Sequence, residues 1–178
     1  MKRTKLLSIA TVASFIACAS QVSAQASPSL TDPEIASVAV TANQVDIGYA
    51  NLAQKKSTDA SVLEFAQTMA RDHQGVIDQA VALVKKLNVF PKDNAVSRQL
   101  NSDAEKTKKS LDSKKGVAFD KAYIDNEVAY HKAVVATVEN VLIPQSQNAE
   151  LKSLLQKVLP VLKTHLDHAI MVQSKLNR

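Results

Sequence analysis

Residues 62–87 read VLEFAQTMARDHQGVIDQAVALVKKL, and this stretch decides the fold. Its apolar side chains recur in alternating steps of four and three residues, which is typical of the buried seam of a packed helix. A single histidine, His73, stands in the middle of the seam. The seam consists of Val62, Ala66, Met69, His73, Val76, Ala80, Leu83 and Leu87.

The same pattern occurs in three further stretches. Residues 124–142 form a seam centred on His131, and residues 151–176 form one centred on His165. Before them, residues 35–53 carry apolar side chains at helical spacing, with Asp46 at the core boundary halfway along. Four amphipathic segments of this length predict an all-α, up-down four-helix bundle.

Capping and breaking residues set the expected boundaries. Thr31-Asp32-Pro33-Glu34 starts a helix that runs to about Lys56. Residues 57–59 cap a second helix that ends at about Leu87. The third and fourth helices are expected at residues 118–143 and 149–176, so residues 32–178 form one domain. In the crossover between the second and third helices, residues 92–116 predict a short, solvated extra helix lying over one end of the bundle.

Pro160 falls inside the fourth predicted helix. It lacks a backbone N–H and its ring clashes with the carbonyl of Gln156, so the sequence predicts a kink or bulge one turn before His165.

The amino-terminal residues resemble an export signal. A basic start is followed by an apolar run from Leu6 to about Ala19 and then by Val22-Ser23-Ala24. This order predicts a cleaved secretory signal peptide at residues 1–24 and a linker at residues 25–31. Cys18 offers the alternative of a lipoprotein. The protein is therefore expected to be exported, with the periplasm favoured over secretion or outer-membrane association.

Cleavage would change the charge of the chain. Removing Lys2, Arg3 and Lys5 reduces the 22 basic residues to 19 against 17 acidic ones, so the net charge falls from +5 to +2. Such a chain lacks the dense basic face that nucleic acid requires. The single cysteine leaves as well, so no disulfide is expected. No transmembrane segment is expected in the mature chain, while peripheral association with the envelope and the identity of any protein partner remain open.

Three histidines and one aspartate occupy the midpoints of the four predicted helices. Midpoints share one layer in an antiparallel bundle, so Asp46, His73, His131 and His165 are expected to converge. A lone histidine in a core is ordinarily satisfied by a carbonyl or water. Burying three together requires a metal ion, a carboxylate network or an internal water cluster to offset the cost of desolvation.

Neutral imidazoles with one carboxylate suit a single zinc, iron or copper ion. Glu127 lies one turn before His131 and is a candidate further ligand or orienting group. Asp72 is expected to interact with the helix dipole or to contribute to packing, and His168 is expected to lie at a solvated edge.

The sequence contains no motif that indicates catalysis. No Glu-x-x-His pair occurs, and neither a complete di-iron motif nor a hydrolase motif is found. No catalytic residue is therefore predicted, and a non-enzymatic role is favoured.

Several segments resemble the bacterial family called domain of unknown function 4142. They are residues 42–48 (ANQVDIG), residues 65–73 (FAQTMARDH), the spacing from Phe119-Asp120 and Tyr123 to His131, and His165 before Ala169. The resemblance covers nearly the whole mature chain, and Asp46 stands where the family commonly has glutamate. It implies an exported, ferritin-like helical bundle without an assigned activity, of a kind often labelled an outer-membrane protein.

Two functional hypotheses follow. The first is an exported bundle whose central layer of His73, His131, His165 and Asp46 binds a transition metal, in envelope metal handling or a stress response. The second is a non-enzymatic structural or interaction protein of the envelope, whose histidines form a buried hydrogen-bond network.

Overall fold

The computed structural model describes residues 29–178, which form an all-helical bundle. The predicted signal peptide and most of the predicted linker lie outside these residues. Within the described part, no helix is long and apolar enough to cross a membrane. In chain order the elements are α1 (Asp32–Lys56), α2 (Ala60–Lys86), α3 (Ala95–Asp112), α4 (Gly116–Thr137), a π-helical turn (Val138–Leu142), α5 (Ile143–Gln145) and α6 (Ala149–Leu176).

Side-chain hydrogen bonds mark the start of α1, α2 and α6. The backbone N–H of Thr31 donates to the Glu34 carboxylate at the start of α1 (3.0 Å). Asp59 accepts hydrogen bonds from two backbone N–H groups in the first turn of α2, and Asn148 does the same for α6. The all-α prediction is confirmed, and the predicted boundaries of the long helices agree with the structure to within a few residues at most ends.

Helix α3 lies alongside α1. Its N-cap residue Asn94 donates from Nδ2 to the carbonyl of Glu34 near the start of α1 (3.1 Å). At the other end, Lys56 of α1 pairs with Asp112 of α3 (2.9 Å). The prediction that this helix lies over one end of the bundle is therefore wrong.

The course of the crossover explains the placement of α3. Helix α2 ends beside the start of α1, where the Lys92 N–H donates to the Pro33 carbonyl (2.9 Å). Helix α4 begins at the opposite end, where Lys56 lies 5.6 Å from the ring centre of Phe119. The chain must therefore travel the length of the bundle between α2 and α4, and these two helices point in the same direction. The predicted up-down order of the long helices is therefore wrong at this step. The apolar stripe of α3, with Ala104 and Leu111 buried, packs along this path.

The core is divided by a polar layer. On one side lies an aromatic half, whose buried cluster includes Phe65, Met69, Phe119 and Tyr123. On the other side lies an aliphatic half, whose cluster contains no aromatic side chain and is built from Leu30, Ile35, Val38, Val138, Leu142, Leu151, Leu155 and Leu162. Asp46, His73, His131 and His165 lie at the boundary, and these four residues are called the central layer below.

A π-helical turn interrupts the regular hydrogen bonding near the end of α4. There the N–H of Ile143 bonds to the carbonyl of Val138, five residues back. Pro144 follows directly and has no N–H, so a wider turn lets the helix accommodate its ring and continue to Gln145. No bulge interrupts α6 at Pro160, since that helix is α-helical throughout.

Candidate metal centre

Each of four helices supplies one side chain to the central layer. Asp46 comes from α1, His73 from α2, His131 from α4 and His165 from α6. None of the four is more than 4% exposed. The structure thus brings together the residues that the sequence placed at the helix midpoints.

The side chains are close enough to share one ligand. The ring centres of the three histidines are 5.1 to 5.7 Å apart. One ring nitrogen from each histidine lies within 4.8 Å of the others. Oδ2 of Asp46 is 3.3 Å from Nε2 of His73 and 3.4 Å from Nε2 of His131. The three histidine nitrogens therefore converge as one group of donors, and Asp46 approaches two of the three histidines.

Each of the three histidines in the central layer has one ring nitrogen hydrogen-bonded to an oxygen. Nδ1 of His73 is 2.7 Å from Oδ1 of Asn43, whose Nδ2 donates to the carbonyl of Ala39. Because that amide has its donor engaged elsewhere, its oxygen accepts the proton of His73. Nδ1 of His131 donates to the backbone carbonyl of Glu127 (3.0 Å).

His165 also donates a hydrogen bond to an oxygen, but from Nε2 instead of Nδ1. Nε2 of His165 donates to Oδ2 of Asp72 at 3.1 Å. These three contacts fix the tautomers, since a neutral imidazole that donates from one nitrogen carries a lone pair on the other.

The three lone pairs point at one another. Within the described part of the chain, Nε2 of His73, Nε2 of His131 and Nδ1 of His165 are buried without a hydrogen-bond partner. Both carboxylate oxygens of Asp46 are likewise without one. Buried acceptors clustered in this way are costly unless a shared positive species satisfies them.

Burial sets the protonation of the layer. It lowers the pKa of His165 to about 4 and lowers that of His131 as well, despite the nearby Asp46 carboxylate. Burial opposes ionisation of Asp46, but the neighbouring histidines outweigh it and hold the pKa of that carboxyl below its usual value. The lowered pKa values of His131 and His165 favour neutral imidazoles, and the lowered pKa of Asp46 favours a carboxylate, which are the states in which these groups bind metals.

Glu127 lies beside this layer. Its Oε2 is 3.5 Å from Nδ1 of His131, and together with Asp46 and His131 it forms a second group of converging donors. Neither of its carboxylate oxygens has a hydrogen-bond partner among the described residues. Burial, assisted by the charge of Asp46, raises the pKa of Glu127 well above its usual value. In the absence of a cation, burial thus favours the protonated, uncharged form of Glu127.

Sequence reasoning missed two of the residues that orient the histidines. Asp72 was expected to serve the helix dipole or packing, and that prediction is wrong because Asp72 accepts the proton of His165. Asn43 could have been found from its position three residues before Asp46, on the same face of α1. His168 lies outside the centre, with its ring 5.1 Å from that of Phe65.

Comparison with known proteins adds one match. The family model described as "Domain of unknown function (DUF4142)" matches residues 17–172. No curated protein matches the chain. No solved structure matches it either.

Proposed function

The chain belongs to the DUF4142 family of unknown function, and from that premise we propose that it is a transition-metal-binding protein. One ion is held by His73, His131, His165 and Asp46. Glu127 lies next to this site and is either a further ligand or a protonated neighbour of the ion.

One observation carries the proposal. All three outward-facing nitrogens donate to oxygens, namely those of Asn43, Glu127 and Asp72, while all three inward-facing nitrogens lack a partner within the described residues. Metal-binding histidines almost always donate their second N–H in this way, because the contact fixes the tautomer and aims the lone pair. A histidine buried for packing alone has no need of this orientation.

The donor set narrows the choice of metal. Three imidazoles and one carboxylate suit zinc, copper or iron, and they are a poor match for magnesium or calcium, which prefer oxygen. The ligands come from α1, α2, α4 and α6, so binding one ion would tie the four helices together. These four helices, with α3 in the crossover, support a ferritin-like arrangement of the bundle.

A role in metal handling or stress in the cell envelope fits this site better than catalysis. The basic and apolar start of the sequence favours export, most simply to the periplasm. There the protein would be either free or peripherally associated with the envelope. No nucleophile activated by a base is placed in the central layer.

A second candidate function rests on the position of Asp46. Its Oδ2 lies within 3.4 Å of nitrogens from two histidines, so a shared proton could complete a buried network in place of a metal. The protein would then be a structural or interaction module of the envelope.

Metal analysis tests the first proposal. The full chain, expressed with its own export sequence and purified without an affinity tag, is analysed for bound metals and then titrated with zinc, copper and iron after chelation. Near-stoichiometric metal, or a saturable gain in melting temperature at one ion per chain, supports the site. A metal-free protein that none of the three ions stabilises would overturn it.

A further inference from the structure

The two ends of the bundle differ in charge. At one end α1, α3 and α6 finish, while α2 and α4 begin. Lys56 of α1 pairs there with Asp112 of α3 (2.9 Å) and lies 5.6 Å from the ring centre of Phe119 in α4. Leu176 of α6 packs against the same apolar cluster as Phe119. We call this end the basic end, and it is formed by residues 51–65, 107–121 and 171–176.

Positive charge is concentrated at the basic end. It has eight lysines and four acidic residues, which gives a net charge of +4. The opposite end, formed by residues 32–37, 81–100 and 140–154, has five basic and four acidic residues, which gives +1. The charge of the whole chain hides this difference. The eight lysines are Lys55, Lys56, Lys108, Lys109, Lys114, Lys115, Lys121 and Lys175.

Most of these lysines lack a carboxylate partner. Two of the eight, Lys56 and Lys108, form ion pairs with acidic residues of α3, and the other six form none within residues 29–178. Asp59 caps α2 and Asp120 is only 5% exposed, which leaves Glu64 as an exposed acid. At the opposite end, three of the five basic residues are in ion pairs. The basic end therefore presents a cluster of uncompensated ammonium groups.

An exposed apolar side chain lies among the lysines of the basic end. Val117, the second residue of α4, is 68% exposed and follows Lys114 and Lys115 in the chain. Lysines around a small apolar tip suit the interface of an anionic bilayer. Lipid phosphates attract the ammonium groups there, and the apolar side chain leaves water among the head groups.

We propose that the basic end binds the surface of a bilayer that contains anionic phospholipids, so that the bundle stands on the membrane by this end. The ammonium groups lie near the lipid phosphates, and Val117 enters the head-group region. This inference assigns a face and a lipid chemistry to peripheral association with a membrane. It does not depend on the metal centre, because the basic end includes no residue of the central layer.

Lipid fits the basic end better than nucleic acid does. The lysines are distributed over α1, α3, α4, α6 and the turn before α4, at the end of the bundle and not along one helix. Sites for single-stranded nucleic acid use aromatic rings on which bases stack, whereas Phe65 and Phe119 of this end are buried. Lysine is a point charge without the fork of arginine, which suits attraction to a surface of many phosphates.

Co-sedimentation with lipid vesicles tests the inference. The full chain, expressed with its own export sequence, is mixed with vesicles of phosphatidylcholine or of an equal mixture of phosphatidylcholine and phosphatidylglycerol. We expect binding to the anionic vesicles, and we expect it to weaken as salt is added. Absence of binding to the anionic vesicles would overturn the proposal. Equal binding to the neutral vesicles would also overturn it, since apolar contacts would then be responsible.

Two further measurements separate this result from other kinds of binding. Chelator should leave vesicle binding unchanged, so the outcome is independent of the test of the metal centre. A short DNA duplex is titrated at the same salt concentration and should bind more weakly than the anionic vesicles. Equal affinity for both would show a general polyanion site and would refute the assignment to lipid.

Charge-matched variants locate the binding surface. Lys109→Gln combined with Lys115→Gln removes two exposed lysines of the basic end and should weaken binding to anionic vesicles about 25-fold, at about fivefold per lysine. Lys132→Gln combined with Lys157→Gln removes two exposed lysines from the sides of α4 and α6 and should weaken it about twofold at most. All four side chains are exposed, so both variants should fold. Equal losses would show that only net charge matters and would refute the assignment to this end.

Serine variants test the apolar contact. Val117→Ser should weaken binding about threefold, because its side chain would enter the head-group region only in part. Phe90 at the opposite end is 81% exposed, and Phe90→Ser should leave binding unchanged. A loss with Phe90→Ser but not with Val117→Ser would mean that the opposite end contacts the membrane, which contradicts the proposal.

Discussion

Oδ2 of Asp72 on α2 accepts the Nε2 proton of His165 on α6 at 3.1 Å, at the edge of the central layer. Asp72 is about 30% exposed at its side chain, whereas His165 is almost wholly buried. The contact therefore joins the solvent-facing rim of the bundle to an imidazole whose other nitrogen points inward. It selects the tautomer that a metal at the centre requires.

Replacing Asp72 should weaken metal binding without removing a ligand. In Asp72→Ala, His165 loses the acceptor that fixes its tautomer, and we expect metal affinity to fall about 10–100-fold. Asp72→Asn keeps an acceptor oxygen and should recover part of the loss. Competition with a chelator of known affinity measures the change. Asp78→Ala alters an exposed aspartate on the same helix and serves as the control, so equal losses in both alanine variants would contradict the expected role.

Metal-free protein should lose stability as the pH falls from about 6.5 towards 4. The pKa of His165 is about 4 in the folded chain and 6.5 ordinarily, so between these values the unfolded state binds the proton more readily. Unfolding is then favoured by acid, by roughly 3 kcal/mol at most from this group.

Urea unfolding of chelated protein across this pH range measures the effect. His165→Gln should flatten the pH dependence of the free energy of unfolding, because it removes the shifted group. If the free energy of unfolding depends on pH as steeply in His165→Gln as in the unmodified protein, other groups are responsible for the loss of stability in acid.

Two glycines should respond to substitution in opposite ways. A methyl group at Gly75, inside α2, meets no atom within 4 Å, so Gly75→Ala should raise the free energy of unfolding by about 0.5–1 kcal/mol through helix propensity. Gly116 has φ of +52°, a conformation that strains other residues, so Gly116→Ala should be destabilising. Chemical denaturation compares the two variants, and a stabilised Gly116→Ala would contradict this account.

The helices and the central layer could be predicted because both depend on local periodicity. A histidine on a seam must face the core, and a residue at the midpoint of a helix must lie near the midpoints of its neighbours. The partners of those histidines were harder to find. Whether Asp72 reaches His165 depends on side-chain torsion angles and on how α2 and α6 approach, neither of which is encoded in spacing along one helix.

The path of α3 is also set by non-local contacts. The sparse apolar stripe of α3 fits the side of a bundle as well as its end, and only the direction of α4 decides between them. Pro160 illustrates a further limit, since the sequence predicts a kink or bulge there, and α6 has no bulge at Pro160 while a π-helical turn precedes Pro144.

His131→Ala separates a metal site from a hydrogen-bond network. In metal-free protein the substitution should lower the free energy of unfolding by about 1–3 kcal/mol under either model, since it leaves a void and removes a hydrogen bond from the core.

The response of the melting temperature to chelator distinguishes the two models. If the centre holds a metal, chelator lowers the melting temperature of the unmodified protein and of the control His168→Ala, but leaves His131→Ala unchanged. If the layer is only a network, chelator affects none of the three proteins, and the melting temperature of the unmodified protein does not increase when zinc, copper or iron is added. The second pattern would exclude the metal centre and leave Asp46 as the proton-sharing partner of His73 and His131.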